Sequence, residues 1–512
     1  MMETAEHGYE ATNGVGEPFA SLSETASAVV FFAGDRAYKL KKPVSLGFLD
    51  FSTPAARAAA CQRETELNRR FAPDVYLGVA QIRDPGGQAC DHLVVMRRMP
   101  GSRRLSALVQ AGEPADGAVR QVARILAAQH AAAARGPAIS EQGSRDALWQ
   151  RWNDNLGQIR ALPGQLDAGE AGRLAGRFLA GRAPLFDARI SAGHVLDGHG
   201  DLLAGDIFCL DDGPRILDCL EFDDRLRWLD GLDDASFLVM DLEFLGDPGL
   251  AERFGRWYIE YSGDSAPVSL RHHYVAYRAL VRAKVEGLRA SQGYTAAPGA
   301  AQRLASVAIG HLRAGAVALI LIGGLPGTGK STLAATMAGE LGLTVLNSDR
   351  IRKELAGLPP EQPAPAAYGT GIYTSSWSER TYTELLRRAA ELLAMGESVI
   401  ADASWTAAEH RLAAAEMAER ASADLVQLHC TAPAGLAARR MSARTGGASD
   451  ADGGIAAQMA AAQAPWLDAV TIDTDGRQTR LSGEPAQRAL AAIRPHGLHH
   501  TWRPVRPYMP PD

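Results

Sequence analysis

Short strand-like runs open the chain, a strand-then-helix alternation closes it, and a long helical stretch lies between. Residues 27–32 and 37–41 are two short strand-like runs on either side of Ala33-Gly34-Asp35-Arg36, which reads as a β-hairpin. Ser52-Thr53-Pro54 then supplies a capping hydroxyl and a first-turn proline, so a helix is expected to run to about Arg70. Residues 92–97 read as another strand, and helical periodicity dominates residues 105–302. Residues 1–24 are polar and glycine-containing and are expected to be poorly ordered.

Residues 291–300 read SQGYTAAPGA, a break rich in turn formers. It divides an expected domain of residues 25–300 from a second of residues 310–495, leaving residues 496–512 as a proline- and histidine-containing tail. Residues 317–323, 343–347, 398–402, 425–430 and 470–472 are strand candidates with helical segments between them. That alternation predicts an α/β unit whose parallel sheet is covered on both faces. Residues 443–454 are too polar and glycine-rich to pack and are expected to form a mobile lid.

Composition narrows the classes without choosing a function. Of 512 residues, 46% are hydrophobic and 22% charged, an ordinary balance with chain enough for more than one core. A formal charge of -6 implies no general affinity for nucleic acid. Cys61, Cys90, Cys209, Cys219 and Cys430 show neither a CxxC pair nor a metal-ligand spacing, and read as reduced thiols of a cytoplasmic protein. No apolar run is long enough for a bilayer and the first residues carry no secretory pattern, so no membrane partner is expected.

Chemistry first appears where the apolar run at 316–323 breaks into Gly324-x-x-x-x-Gly329-Lys330-Ser331. A buried strand, a glycine-rich turn and a helix start put converging backbone N–H groups and a helix dipole at one point, a cradle for phosphate. Gly324, Pro326, Gly327, Thr328, Gly329, Lys330, Ser331 and Thr332 are the expected nucleotide-binding residues. Lys330 would reach the β/γ-phosphates and the Ser331 hydroxyl would hold Mg²⁺.

A second motif lies in the first half: Asp197-Gly198-His199-Gly200-Asp201, then Asp206, then Ile216-Leu217-Asp218. It resembles the catalytic loop of aminoglycoside phosphotransferases and related protein-kinase-like enzymes. The resemblance implies that Asp201 orients or deprotonates an acceptor hydroxyl, and that Asp206 and Asp218 bind Mg²⁺. Position 206 departs from the family, which usually has Asn there. Upstream, alternation puts Lys39 and Lys41 on one strand face, and periodicity does not choose which of them meets phosphate. The family pattern aligns with Lys39. Glu64 lies in the apolar stripe Ala60, Leu67, Phe71 and needs a cation partner there. In kinase-like folds that partner is the strand lysine, and residues 94–100 would be the strand and hinge beside the adenine. Glu221 is a candidate second metal carboxylate or a carboxylate standing behind the metal ligands, while Asp230, Asp233, Asp234 and Asp241 read as mostly structural.

The second half resembles P-loop kinases of small molecules or nucleic-acid ends. Asp349 is the expected general base, with helix capping by Ser348 or Asp349 as the alternative. Arg350 and Arg352 would meet an anionic substrate, and Asp402, at a strand end, would order Mg²⁺. Arg440 and Arg444, one helical turn apart beside the lid, would neutralise charge developing during transfer. Over nearly its whole length the chain resembles a bacterial family of bifunctional aminoglycoside phosphotransferase/ATP-binding proteins. That implies a two-lobed α+β kinase-like domain followed by an α/β P-loop domain, with ATP and Mg²⁺ as cofactors and a small-molecule hydroxyl as acceptor. Two alternatives stay open: a kinase-like half that only binds a regulatory ligand, and a P-loop half that phosphorylates nucleic-acid ends or nucleotide-sugars.

Overall fold

The computed structural model describes residues 7–12, 18–25, 27–45, 50–162, 168–359, 362, 369–443, 453–475 and 489. Six antiparallel strands form the first sheet: β1 (His7–Thr12), β2 (Pro18–Glu24), β3 (Ala28–Ala33), β4 (Arg36–Lys41), β5 (Tyr76–Arg83) and β6 (Ala89–Arg97). Their order is β1-β2-β3-β4-β6-β5. The β3–β4 turn needs Gly34, whose φ of 59° lies in the left-handed region. The sheet begins earlier than residue 25, because backbone pairing of β2 with β3 supplies hydrogen bonds that a polar sequence does not advertise. Helix Pro54–Asn68 starts where Thr53 Oγ1 accepts from the Ala56 N–H; it packs on β5 and β6 and buries Cys61, Glu64, Leu67 and Asn68.

Helices Asp116–Ala132, Arg145–Arg160, Gly169–Ala180, Gly231–Phe244, Pro248–Ser262 and Val268–Ser291 build the second lobe. Two short antiparallel ribbons lie on it: β7 (Val195–Asp197) with β10 (Trp228–Asp230), and β8 (Ile207–Leu210) with β9 (Gly213–Ile216). Their connections carry Asp201, Asp206 and Asp218. The expected break at 291–300 is the turn of a helical hairpin, since helix Ala297–Ala314 packs along Val268–Ser291.

The last sheet comprises β11 (Ala318–Gly323), β12 (Thr344–Asn347), β13 (Val399–Asp402), β14 (Asp424–Thr431) and β15 (Val470–Asp473), all parallel, in the order β12-β13-β11-β14-β15. Buried β11 faces two ways. Ile320 and Ile322 meet Leu333 and Met337 of helix Lys330–Leu341, whereas Leu319 and Leu321 join a core that continues into the first half through Leu312, Leu304 and Leu185. Arg182 Nη1 donates to the Ala421 carbonyl at 2.7 Å, and Ser269 Oγ to the Gly396 carbonyl at 2.7 Å. These contacts sit at the N-terminal ends of β13 and β14, so the opposite, C-terminal edge of the sheet is left open. Among the described residues, no helix is long and apolar enough to cross a membrane.

Candidate active sites

Strand β4, helix Pro54–Asn68 and the segment after β9 bring Lys39, Glu64 and Asp218 together. Lys39 Nζ lies 2.8 Å from Glu64 Oε1 and 2.7 Å from Asp218 Oδ1. Burial pulls the Lys39 ammonium down, but Asp218 and Glu64 outweigh it and hold its pKa well above the ordinary value. Lys39 in turn holds the Asp218 carboxyl down at about 2. Asp218 has a φ of 65°, a left-handed conformation that is uncommon outside glycine and here turns its carboxylate into the cleft. Its N–H donates to Tyr76 Oη at 3.2 Å. Burial, followed by the charges of Asp218 and Asp201, pushes the Asp206 carboxyl well up. Asp206 and Asp218, each within reach of the other's charge, could hold a divalent cation if phosphate oxygens completed its shell.

The loop carrying Asp201 is fixed from below. Asp234, at the start of helix Gly231–Phe244, accepts from the His199 N–H at 2.6 Å and the Gly200 N–H at 2.9 Å. His130 Nε2 approaches the same carboxylate at 3.0 Å. Burial opposes the Asp234 charge, yet His130 and the backbone donors hold its carboxyl below the usual range. Burial keeps His199 neutral; its Nε2 donates to the Leu217 carbonyl at 3.1 Å, tying the Asp201 loop to Asp218. Asp230 pairs with Arg189, Asp233 with Arg278, and Asp241 accepts from the Ala204 N–H. All four are structural, as the sequence suggests. Glu221 is taken by Lys41 rather than left for a metal. Arg70 and Arg227 were missed: both grip Asp197 and clamp the helix to the two loops. No local pattern marks that shared contact, since Asp197 lies 127 residues from Arg70 and 30 from Arg227.

At the open edge of the last sheet, Gly324, Gly327 and Gly329 have φ of 144°, 79° and 84°, which side chains rarely adopt. Lys330 and Ser331 start helix Lys330–Leu341, and Pro326 is buried. Thr328 Oγ1 donates to the Leu325 carbonyl at 2.8 Å, closing the turn, and Thr332 is exposed. A Cβ on Gly324 would stand 2.5 Å from the Cys430 carbonyl oxygen. Gly324→Ala is therefore expected to destabilise the fold by about 1–3 kcal/mol and to weaken nucleotide binding; thermal melting and nucleotide titration check both.

Register pairs Asn347 and Ile322 with Asp402, so the three are level at the sheet edge. Asn347 Nδ2 donates to Asp402 Oδ2 at 2.7 Å, leaving Asp402 Oδ1 buried without a hydrogen-bond partner. Burial raises the Asp402 carboxyl, against the nearby Lys330 ammonium and Ser331 hydroxyl. An orphaned buried oxygen beside a phosphate cradle fits Mg²⁺. Among the described residues, no group of three or more His, Cys, Asp or Glu could hold a metal ion, so a cation at either site would need phosphate oxygens as further ligands.

The cap of helix Ser348–Leu355 is Asn347, whose Oδ1 accepts from the Arg350 N–H at 3.0 Å. Asp349 is thus relieved of capping and stays half-buried near Asp402 and Tyr382. Arg352 departs from its expected role: it is buried, donating to the Ile372 carbonyl at 3.1 Å beneath the Tyr373 ring. Arg440 also differs from a free lid side chain. It donates to Thr474 O at 2.6 Å and reaches Gly327 O at 3.4 Å, bracing the phosphate loop. Arg444, most of residues 443–454 and the tail at 496–512 lie outside the described residues.

Residues 21–271 match the phosphotransferase enzyme family, and residues 319–490 match an AAA domain. The uncharacterized protein Rv2004c of Mycobacterium tuberculosis is 44% identical over 491 residues, covering 95% of this chain and 96% of its own. A choline/ethanolamine kinase family protein from Mesorhizobium loti aligns with 59% of this chain and 94% of its own at 16% identity, with a TM-score of 0.37. The APS kinase of Mycobacterium tuberculosis aligns with 35% of this chain and 98% of its own at 19% identity, with a TM-score of 0.27. The order of the two matched domains and the near full-length relative agree: the chain belongs to the family in which a phosphotransferase-family (APH) domain is followed by an AAA-type P-loop domain.

Proposed function

We propose that the chain is an ATP- and Mg²⁺-dependent phosphotransferase with two nucleotide-binding modules, each built to pass a γ-phosphoryl group to a hydroxyl of a small molecule. The observation that carries the two-module reading is the meeting of Lys39, Glu64 and Asp218 at 2.7–2.8 Å beside Asp201, in a lobe separate from the P-loop. In the first module Lys39, oriented by Glu64, binds a phosphate oxygen, and Asp206 and Asp218 would hold Mg²⁺. Asp201 takes the proton of the acceptor hydroxyl while its oxygen bonds to phosphorus and the β,γ-bridging bond breaks, releasing ADP. In the second, the backbone N–H groups of the Gly324–Thr332 turn and Lys330 grip the phosphates, Ser331 and Asp402 would hold Mg²⁺, and Asp349 takes the acceptor proton. Bound Mg²⁺ neutralises phosphate charge at each site. Arg440 acts through the Gly327 carbonyl.

The test is full-length protein with γ-labelled ATP, Mg²⁺ and a mixed panel of metabolites, antibiotics and RNA, followed by identification of what acquires label. Label on a small-molecule hydroxyl is expected. Label on RNA ends alone would favour the nucleic-acid reading, and label confined to inorganic phosphate would sink the transferase.

A further inference from the structure

Lys41 is a buried lysine that the proposed reaction leaves without a task. Its side chain is 2% exposed against 17% for Lys39, so nothing bound in the cleft can touch it. Yet its ammonium lies 2.7 Å from Glu64 Oε2, pairs with Glu221 Oε1, and rests 4.9 Å above the centre of the Phe51 ring. Lys39 takes the other Glu64 oxygen and Asp218. The two lysines therefore divide three carboxylates, and only Lys39 faces the cleft.

The division matters when a phosphate arrives. Glu64 is fully buried, and a buried carboxylate stripped of its cation is strongly disfavoured. Were Lys39 its sole partner, moving that ammonium onto a phosphate would strand Glu64. With Lys41 in place, Glu64 keeps a charged partner throughout, and Glu221, three residues past Asp218, stays out of the cleft. We propose that Lys41 is a positioning residue: it holds Glu64 and Glu221 so that Lys39 can exchange Asp218 for a phosphate oxygen and release Asp218 to a divalent cation. This rests on the reading that the first module binds Mg-ATP.

The test uses the full chain carrying Lys330→Ala, so that calorimetric titration with Mg-ATP reports the first module. Adding Lys41→Met is expected to weaken binding on the order of tenfold and to lower the melting temperature of the ligand-free protein. Lys39→Met should weaken binding as well, but with a ligand-free melting temperature close to the parent's, because Lys41 still satisfies Glu64. Lys41→Met with Glu221→Gln removes one charge of each sign and guards against misfolding. It should recover the melting temperature and not the affinity.

Parent-like affinity in that folded double variant overturns the proposal while leaving the nucleotide site standing. So does a Lys39→Met protein that melts as low as Lys41→Met, since Lys39 would then be the essential partner of Glu64. If the Lys330→Ala parent binds no Mg-ATP, the nucleotide reading of the first module falls and takes the proposal with it.

Discussion

Lys330→Ala is expected to reduce phosphoryl transfer by the second module about 100-fold, the loss of one preorganised contact worth on the order of 3 kcal/mol. The geometry concentrates the effect on that side chain. Gly324, Gly327 and Gly329 aim backbone N–H groups at the phosphates, but Lys330 is the one cation of the turn itself, and Arg440 is committed to Thr474 and the Gly327 carbonyl. The fold should survive, because Lys330 is part-exposed at the first position of its helix, away from the buried faces of Leu333, Ala334 and Met337. Transfer is best measured in the full chain carrying Asp201→Asn, which silences the first module. Retention of normal transfer in that background would refute the cradle.

Asp201→Asn has the second large effect. In a Lys330→Ala chain it is expected to cut transfer by the first module by about 10²–10⁴-fold while leaving Mg-ATP affinity nearly unchanged. The binding charges stand without it: Lys39 contacts Glu64 and Asp218, and the Asp201 loop is held through the backbone of His199 and Gly200 by Asp234. Asparagine keeps the shape and loses the proton acceptor. Should the Lys330→Ala chain, with Asp201 intact, bind nucleotide and transfer nothing to any hydroxyl offered, the first module is a ligand-binding regulator instead. Separating the modules by cutting near residue 300 is a poor alternative, because the core runs from Leu304 and Leu312 into Leu319 and Leu321 without interruption.

The two sites were legible to different degrees for a physical reason. The phosphate turn is contiguous, so its strand, glycines and helix start are read in one window. The first module is assembled from distant residues, 179 positions apart in the Lys39–Asp218 contact, and is readable through the order of its parts and a family resemblance. What stayed hidden depends on tertiary register. Asn347 could not be seen as both helix cap and Asp402 partner until β12 and β13 set it level with Asp402. Lys39 and Lys41 share a strand face, and only the packed helix shows that both converge on Glu64. Strands β1, β2 and β5 escaped notice because they are held by backbone pairing more than by alternation.

Two nucleotide sites in one chain is the central claim, and the stoichiometry of binding tests it most directly. Equilibrium titration of the full-length protein with a Mg²⁺-bound, non-hydrolysable ATP analogue is expected to reach two equivalents per chain, falling to one in Lys330→Ala. Saturation at one equivalent that Lys330→Ala abolishes entirely would contradict it.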